Sequence, residues 1–540
     1  MAHSPSKFSW QILSRRNLDL FVKVRWSQLL GQGFVHLQRS NETDVEAIGR
    51  YLVINSIGEK SLQRISRYLV SWSGLELSNV GEGAASGHPL HIYALTRHVA
   101  LGWPALETTL TRLHNQTKEM EWAVSRSTSG RCATKEDLSQ VSAGMARLHD
   151  FYSLNLTMMR QHGALQSCLN DEPVYSSLQP TARDFHQIGM EAASNHIFNS
   201  GVDFLAAALD AIETTNTTHE EHQNIGTDFS SVQKDYKTVT KMHDQVLERK
   251  GPRTKKHSTR SRPVDRKLAK KKKYHRSKES LFTIGKVGSE KESVNQYWRL
   301  CRGEDHRPVK IKSQLYCRYV NNGSPLFLIG PLKMEIHSLD PYVITIEDFL
   351  HPNERSKIIN RASVNLETSS TFRGNGGSEV GVQRTSSTAW LWEYQLSLLP
   401  NLTHRMQEIT GTYAKEHFAA EAYQVLNYGV GGHYTVHHDA ISKGMVYNRF
   451  ATIFMYLTDV EKGGLTVFPW LGVGIEPRAG RVLVWYNTDK AGNRDDRLEH
   501  GACPVLLGSK WAINKWLHYG GQYKAIPCGL TVDEKINQPL

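Results

Sequence analysis

The chain has 540 residues, is 39% hydrophobic and 22% charged, and carries a net charge of +12 at pH 7. That length exceeds what one core supports, so two or three domains are expected, and no apolar run is long enough to cross a bilayer. Between Arg249 and Lys278 stand fifteen Lys or Arg against one acid, Asp265, with Tyr274 the only aromatic residue, so the basic signal belongs to a solvated tether and not to a nucleic-acid surface.

In chain order, the first residues, Met1-Ala-His-Ser-Pro-Ser-Lys-Phe8, lack the uninterrupted apolar core of a secretory signal. From about residue 40 to 245 the apolar positions recur at three- and four-residue spacing and predict helices. They fall at 46–54, 62–70 and 141–152, then in a pair at 181–193 and 202–212 separated by Asn199-Ser-Gly201. The pair, with its small-residue face, reads as one tetratricopeptide-like helix-turn-helix unit or as an ordinary helical hairpin. Residues 246–290 form the basic linker. Beyond it, short β-type runs separated by Gly, Asn and Pro appear at 342–346, 451–457, 480–486 and 510–518, with one helix near 352–360. Many short strands at this spacing predict a two-sheet jelly roll with a ligand site in its mouth.

The six cysteines, Cys132, Cys168, Cys301, Cys317, Cys503 and Cys528, include no Cys-x-x-Cys pair, which excludes zinc-ribbon and thioredoxin-type readings. Bridges within 301/317 and 503/528 would close short loops and imply an oxidising compartment. The sequons at Asn155, Asn216 and Asn401 are compatible with secretion.

The chemistry concentrates near the C-terminus. Of twenty-five histidines only His437 has an aspartate, Asp439, two positions later. On a strand that spacing turns both side chains to one face, and Gly429, Gly431 and Gly432 just before permit a tight bend. His500 is placed to close a triad from the opposite sheet. Two imidazoles and a carboxylate on one face of an iron leave coordination positions open, as oxygen-activating non-haem Fe(II) chemistry requires. Lys510, ten residues after His500, begins an apolar strand and offers a counter-charge to an oxo-acid.

These residues, with Tyr297–Glu304, Leu315–Tyr319, Thr388–Leu391, Gly463–Pro469 and Val484–Asn487, resemble the catalytic domain of collagen prolyl 4-hydroxylase α subunits, which are Fe(II)- and 2-oxoglutarate-dependent dioxygenases. Gly87-His-Pro89, 141–152 and 181–212 resemble that family's helical half, so the resemblance spans most of the chain. It implies a multidomain protein: a helical N-terminal and dimerisation region at 1–130, a tetratricopeptide-like peptide-substrate-binding domain at 131–245, the basic linker at 246–290, and a double-stranded β-helix (jelly-roll) dioxygenase domain at 291–540. It further implies His437, Asp439 and His500 as iron ligands, and Lys510 with Tyr428 and Thr466 as the 2-oxoglutarate site. Tyr434, Arg449, Trp516 and His518 would line the substrate pocket, and Cys301–Cys317 and Cys503–Cys528 would be disulfides.

The implied activity is hydroxylation of peptidyl proline in collagen-like sequences, with O2 and 2-oxoglutarate consumed and succinate and CO2 released. Ascorbate as reductant, protein disulfide isomerase as β subunit of an α2β2 tetramer, and the endoplasmic reticulum lumen come with the resemblance. No nucleic acid and no membrane span are expected. The chain departs from the family pattern at His433 and at His438, which is expected to pack facing away from His437. It departs again at Phe198 and Asn199, where adjacent tyrosines are usual. That second departure keeps open a sister 2-oxoglutarate oxygenase acting on another proline-containing protein. A subunit that only binds proline-rich chains, and a nucleic-acid-demethylating dioxygenase, are the remaining alternatives.

Overall fold

The computed structural model describes residues 88–97, 100–101, 134–176, 178–214, 229–249, 286–369, 371–372, 378–379, 383–440 and 447–527. The helices expected at 46–54 and 62–70, most of the basic linker, and Cys132 and Cys528 lie outside the described residues.

The helical half contains α1 (Pro89–Arg97), α2 (Lys135–Tyr152), α3 (Leu156–His162), α4 (Ala182–Ser194), α5 (Phe198–Thr214) and α6 (Phe229–Arg249). Two of these begin at reciprocal caps written in the sequence: Thr134 with Asp137 for α2 and Thr181 with Asp184 for α4. In each, the threonine and aspartate side chains satisfy the first free backbone N–H groups. α4 and α5 cross at glycines. A Cβ on Gly189 would stand 2.8 Å from the Leu205 side chain, and one on Gly201 would be 3.3 Å from Gly189 O. This explains the small-residue face, yet Asn199-Ser-Gly201 is no break: α5 starts at Phe198 and runs through it. A hairpin, β1 (Ala164–Ser167) and β2 (Asn170–Tyr175), also interrupts the stretch read as wholly helical.

The second half opens with α7 (Glu290–Cys301) and continues with β3 (Cys317–Val320), β4 (Leu332–Leu339), β5 (Tyr342–Glu347), α8 (Pro352–Ser363), β6 (Glu367–Thr368), β7 (Ser387–Leu391) and α9 (Leu399–Thr410). Then follow β8 (Tyr423–Tyr428), β9 (Tyr434–His437), β10 (Arg449–Tyr456), β11 (Thr466–Phe468), β12 (Val473–Ile475), β13 (Val482–Tyr486), β14 (His500–Ala502) and β15 (Lys510–His518). A nine-stranded antiparallel sheet, in the order β3-β4-β5-β13-β10-β15-β8-β7-β6, faces a four-stranded one, β9-β14-β11-β12. This is the expected pair of jelly-roll sheets.

Period-two alternation along β15 sorts its side chains. Trp511, Ile513 and Leu517 join the core under α8 and α9, while Ala512 joins the core between the sheets. All nine residues of β15 are buried because both its faces are covered. Six residues separate Lys510 from Trp516, which places them about 20 Å apart along one face.

The cysteine pairing differs from the expected one. Cys301, at the end of α7, is bonded to Cys503, just beyond β14, with Cα atoms 5.4 Å apart. Both are fully buried, whereas Cys317 is exposed on the edge strand β3 and free. The 301/317 bridge expected from the family pattern is therefore absent. The reason lies in packing: α7 lies against the small sheet and brings Cys301 to Cys503, while β3 is drawn to the far edge of the large one. Peptide mapping without reductant should recover Cys301 joined to Cys503; a Cys301–Cys317 peptide would restore the other pairing.

Candidate metal and co-substrate site

β9 and β14 are neighbours in the small sheet, and their register sets His437 directly opposite His500. The two histidines thus share a sheet, not opposite sheets as the sequence reading had it. Asp439 lies two residues past the end of β9, where the chain has turned inward, and the Thr452 hydroxyl on β10 donates to its Oδ2 at 2.7 Å. His437 Nε2 stands 3.8 Å from Asp439 Oδ1, and His500 Nε2 stands 3.6 Å from Oδ2. One ligand atom from each of the three lies within 4.8 Å of the others.

The imidazoles are oriented from behind. His437 Nδ1 donates to Thr435 O at 2.8 Å and His500 Nδ1 to Leu498 O at 3.0 Å. With the proton held on Nδ1, each Nε2 lone pair faces Asp439, as in metal-ligating histidines. Burial and the neighbouring His500 push the His437 pKa down, so the ring stays neutral and available as a donor. Burial alone would raise the Asp439 pKa, but His500, His437 and Arg449 together hold it low. A neutral-imidazole and carboxylate set of this spacing fits one divalent ion at about 2 Å metal–ligand distance with small side-chain adjustment. Behind Asp439 a relay continues: Asn487 Nδ2 donates to Thr452 Oγ1 at 2.8 Å and Trp485 Nε1 to Asn487 Oδ1 at 2.7 Å. Trp485 then meets His500 edge-on at 4.8 Å between ring centres.

A cavity of about 250 Å³ opens beside the triad. Tyr428, Phe454, Thr466 and Trp485 line it within the barrel, and Trp390, Arg449 and Trp516 line it on the large-sheet side. Lys510 is fully buried and donates to Gly464 O at 2.7 Å and to Thr466 Oγ1 at 3.2 Å. Its ammonium stands 5.5–5.6 Å from the Tyr428, Phe454 and Tyr456 ring centres. Burial lowers its pKa to about 7.

The structure therefore gathers nine of the ten expected site residues at or behind this cavity. His518 lies beyond the lining: its Nε2 faces Glu421 at 3.8 Å, and Glu421 also holds Arg449 at 2.6 and 3.0 Å. Arg449 stacks on Trp516 at 3.5 Å. Tyr434 stacks on His437 at 3.6 Å. His438 borders the cavity, with Nε2 3.8 Å from Asp496, and is not one of the three clustered donors.

Sequence reasoning missed Arg384 and Gln424. Arg384 lies over the Tyr434 ring at 4.9 Å and donates to Ser386 Oγ at 3.1 Å. Gln424 accepts from Asn514 at 3.1 Å. No spacing or periodicity marks either one. Thr452 was equally silent, while Trp485 and Asn487 were visible only as part of the run 484–487.

Residues 423–518 match the 2OG-Fe(II) oxygenase superfamily, and residues 46–166 match the N-terminal region of the prolyl 4-hydroxylase alpha-subunit. Prolyl 4-hydroxylase subunit alpha-2 of Gallus gallus is 39% identical over 248 residues, covering 44% of this chain and 45% of that protein. Subunit alpha-2 of Caenorhabditis elegans is 28% identical over 480 residues, 83% of this chain and 84% of that one. The chain thus spans just under half the length of the chicken relative and most of the nematode one. Among solved structures, a viral collagen prolyl hydroxylase from Paramecium Bursaria Chlorella virus-1 aligns at 24% identity with a TM-score of 0.28, covering 32% of this chain and 94% of that one.

Lys510 makes stability depend on pH. Its folded pKa of about 7 lies below the unfolded value of 10.5, so the unfolded chain binds the extra proton between these limits. The penalty is present in full below about pH 7 and is relieved as pH rises toward 10.5. Denaturant midpoints of wild type and Lys510→Met measured across that range should therefore converge as pH rises. Parallel curves would show that the lysine is not charged and desolvated at neutral pH.

Proposed function

Because the chain belongs to the prolyl 4-hydroxylase alpha-subunit family, we propose that it hydroxylates peptidyl proline in collagen-like sequence, using Fe(II), O2 and 2-oxoglutarate and releasing succinate and CO2. The observation that carries this reading is the combination of a convergent two-histidine, one-aspartate cluster with a buried lysine at the inner end of the same face. His437, Asp439 and His500 would hold the iron, which when bound supplies O2 activation coupled to decarboxylation of the oxo-acid.

Each remaining role follows from placement. The Lys510 ammonium and Thr466 hydroxyl take the distal carboxylate of 2-oxoglutarate, with Tyr428 walling the same space. That carboxylate offsets the desolvation of the lysine. Phe454 and Trp485 keep this end of the cavity dry, so that the oxidising chemistry meets substrate before water. At the other end Trp390 and Trp516, about 6 Å apart, present ring faces suited to a proline in an extended polyproline II segment. Arg449, fixed by Glu421 and stacked on Trp516, and Tyr434, stacked on His437, bound the approach to the iron.

The same reading assigns 1–130 to dimerisation, 131–245 to a tetratricopeptide-like module that binds the peptide, 246–290 to a linker and 291–540 to the oxygenase. It takes ascorbate as the reductant, protein disulfide isomerase as the partner in an α2β2 assembly, and the endoplasmic reticulum lumen as the compartment. Among the described residues no helix is long and apolar enough to cross a membrane.

Purified protein with Fe(II), 2-oxoglutarate and a Pro-Pro-Gly repeat peptide should release succinate in proportion to hydroxyproline. His437→Ala should abolish both products while leaving peptide affinity within about twofold. Lys510→Ala should raise the KM for 2-oxoglutarate by about 100-fold, the cost of removing one partner from a buried charge pair. Peptide-independent succinate, or turnover that survives His437→Ala, would defeat the assignment.

A further inference from the structure

Helix α2 reaches out of the helical half and grips both strands that carry the histidines of the triad. Arg147 is buried, and its Nη1 donates to Gly431 O at 2.7 Å and to Thr385 Oγ1 at 3.4 Å. These acceptors are neutral, so the guanidinium is desolvated without a carboxylate in either hydrogen bond. Such a cost is retained where the charge holds backbone in place.

The backbone it holds is the glycine bend leading into β9. Gly431 has φ +64, in the left-handed region, and a Cβ there would lie 2.5–2.8 Å from the Gly144 backbone. A Cβ on Gly144 would in turn be 2.9 Å from Val430 O. Helix and bend therefore touch backbone to backbone, with no side chain between them to absorb a shift.

Thr385 carries the restraint onward. Its hydroxyl meets His433 Nδ1 at 2.9 Å, its N–H donates to His433 O at 3.0 Å, and Thr435 N–H donates to Gln383 O at 2.9 Å. The residue between these contacts is Arg384, which lies over Tyr434, which stacks on His437.

At its C-terminal end the same helix grips the other ligand strand. Tyr152 Oη donates to Pro504 O at 2.6 Å, immediately after Cys503 and β14. Arg302 Nε donates to Phe151 O at 2.7 Å, and Phe151 stacks on Trp298 of α7 at 3.9 Å. One helix thus sets the separation of the strands bearing His437 and His500.

We propose that Arg147 and Tyr152 are positioning residues that hold the two histidine-bearing strands at metal-binding separation, making the helical half a structural part of the metal site and not a tethered accessory. This rests on the reading that His437, Asp439 and His500 bind a divalent ion. A metal site tolerates displacements of only about 0.5 Å, which is why a restraint outside the barrel bears on it.

The test uses the full chain and its Arg147→Met, Arg147→Lys and Tyr152→Phe variants, with anaerobic Co(II) titration as the probe. Arg147→Met should weaken Co(II) binding by about 10- to 100-fold, the range found for residues that orient ligands without touching the metal. Arg147→Lys should recover part of that loss, and Tyr152→Phe should show a smaller one. In turnover, kcat should fall with the KM for peptide unchanged, and thermal unfolding should remain a single transition. Hydrogen exchange of the metal-free variants should accelerate at residues 431–437 for Arg147→Met and at 500–504 for Tyr152→Phe.

Folded variants with wild-type Co(II) affinity and unchanged exchange at those segments would overturn the proposal. Wild-type protein that binds no Co(II) would sink the metal reading, and the exchange result would still decide the clamp. Should Arg147→Met fail to fold, Arg147→Lys and Tyr152→Phe carry the same measurements.

Discussion

The arrangement of the second half depends on one constraint: two imidazole Nε2 atoms and one carboxylate must converge where there is almost no water. Each histidine gives its Nδ1 proton to a backbone carbonyl two residues earlier, Thr435 for His437 and Leu498 for His500. The carbonyls are fixed because β9 and β14 are paired strands, and the pairing register makes the two rings face each other. Asp439 cannot be supplied by that register. It comes from the turn after β9 and is caught by Thr452 from the opposite sheet. The site is thus a property of the sandwich, since two donors come from the small sheet and the third is held in place by the large one.

What could be read in the sequence, and what could not, follows from the same distinction. Spacing along one strand was legible. His437-x-Asp439 and the regular alternation of β15 both express period two, and alternation put Lys510, Asn514 and Trp516 on the face toward the small sheet. Relations across strands were not legible. Nothing in the sequence says that His500 pairs beside His437 and not opposite it, or that Arg384, forty residues before Gln424, shares a cavity with it. The disulfide shows the same limit. Short sequence separation favoured the 301/317 pairing, but α7 packs on the small sheet and meets Cys503, 202 residues away. In the helical half, the caps at Thr134 and Thr181 were local and correct in kind, whereas Asn199-Ser-Gly201 resembled a break because its small residues serve the α4–α5 crossing and not a turn.

The departures from the family pattern in the helical half acquire concrete surroundings. Phe198 opens α5 and packs against the helical core, while Asn199 Oδ1 accepts from His243 Nε2 of α6 at 2.9 Å. These two positions therefore tie α5 to its neighbours and do not form a bare aromatic platform. His433 is likewise enclosed, and burial together with the nearby Arg147 lowers its pKa well below the ordinary value, so it stays neutral beside the guanidinium. Its ring bonds Thr385 and lies near Phe151 of α2. A histidine there serves the contact between the two halves.

β15 carries two fully buried lysines, and the contrast between them bears on function. Lys515 points to the helix-covered face, where Glu416 Oε1 stands 3.9 Å from its ammonium and the Tyr423 ring centre 4.2 Å. Its charge is answered within the protein. Lys510 points the other way, and its neighbours are a carbonyl, a hydroxyl and three aromatic rings, none of them anionic. A desolvated ammonium so placed is matched only in part by neutral dipoles and ring faces. The shortfall is the free energy that a bound carboxylate recovers. In the proposed reading it is selective because the lysine sits at the inner end of a narrow cavity whose other wall carries the triad. An acid that satisfies both must place one carboxylate on the lysine and an oxygen-rich end at the triad, which favours a short oxo-diacid over a monoacid or a bulky anion.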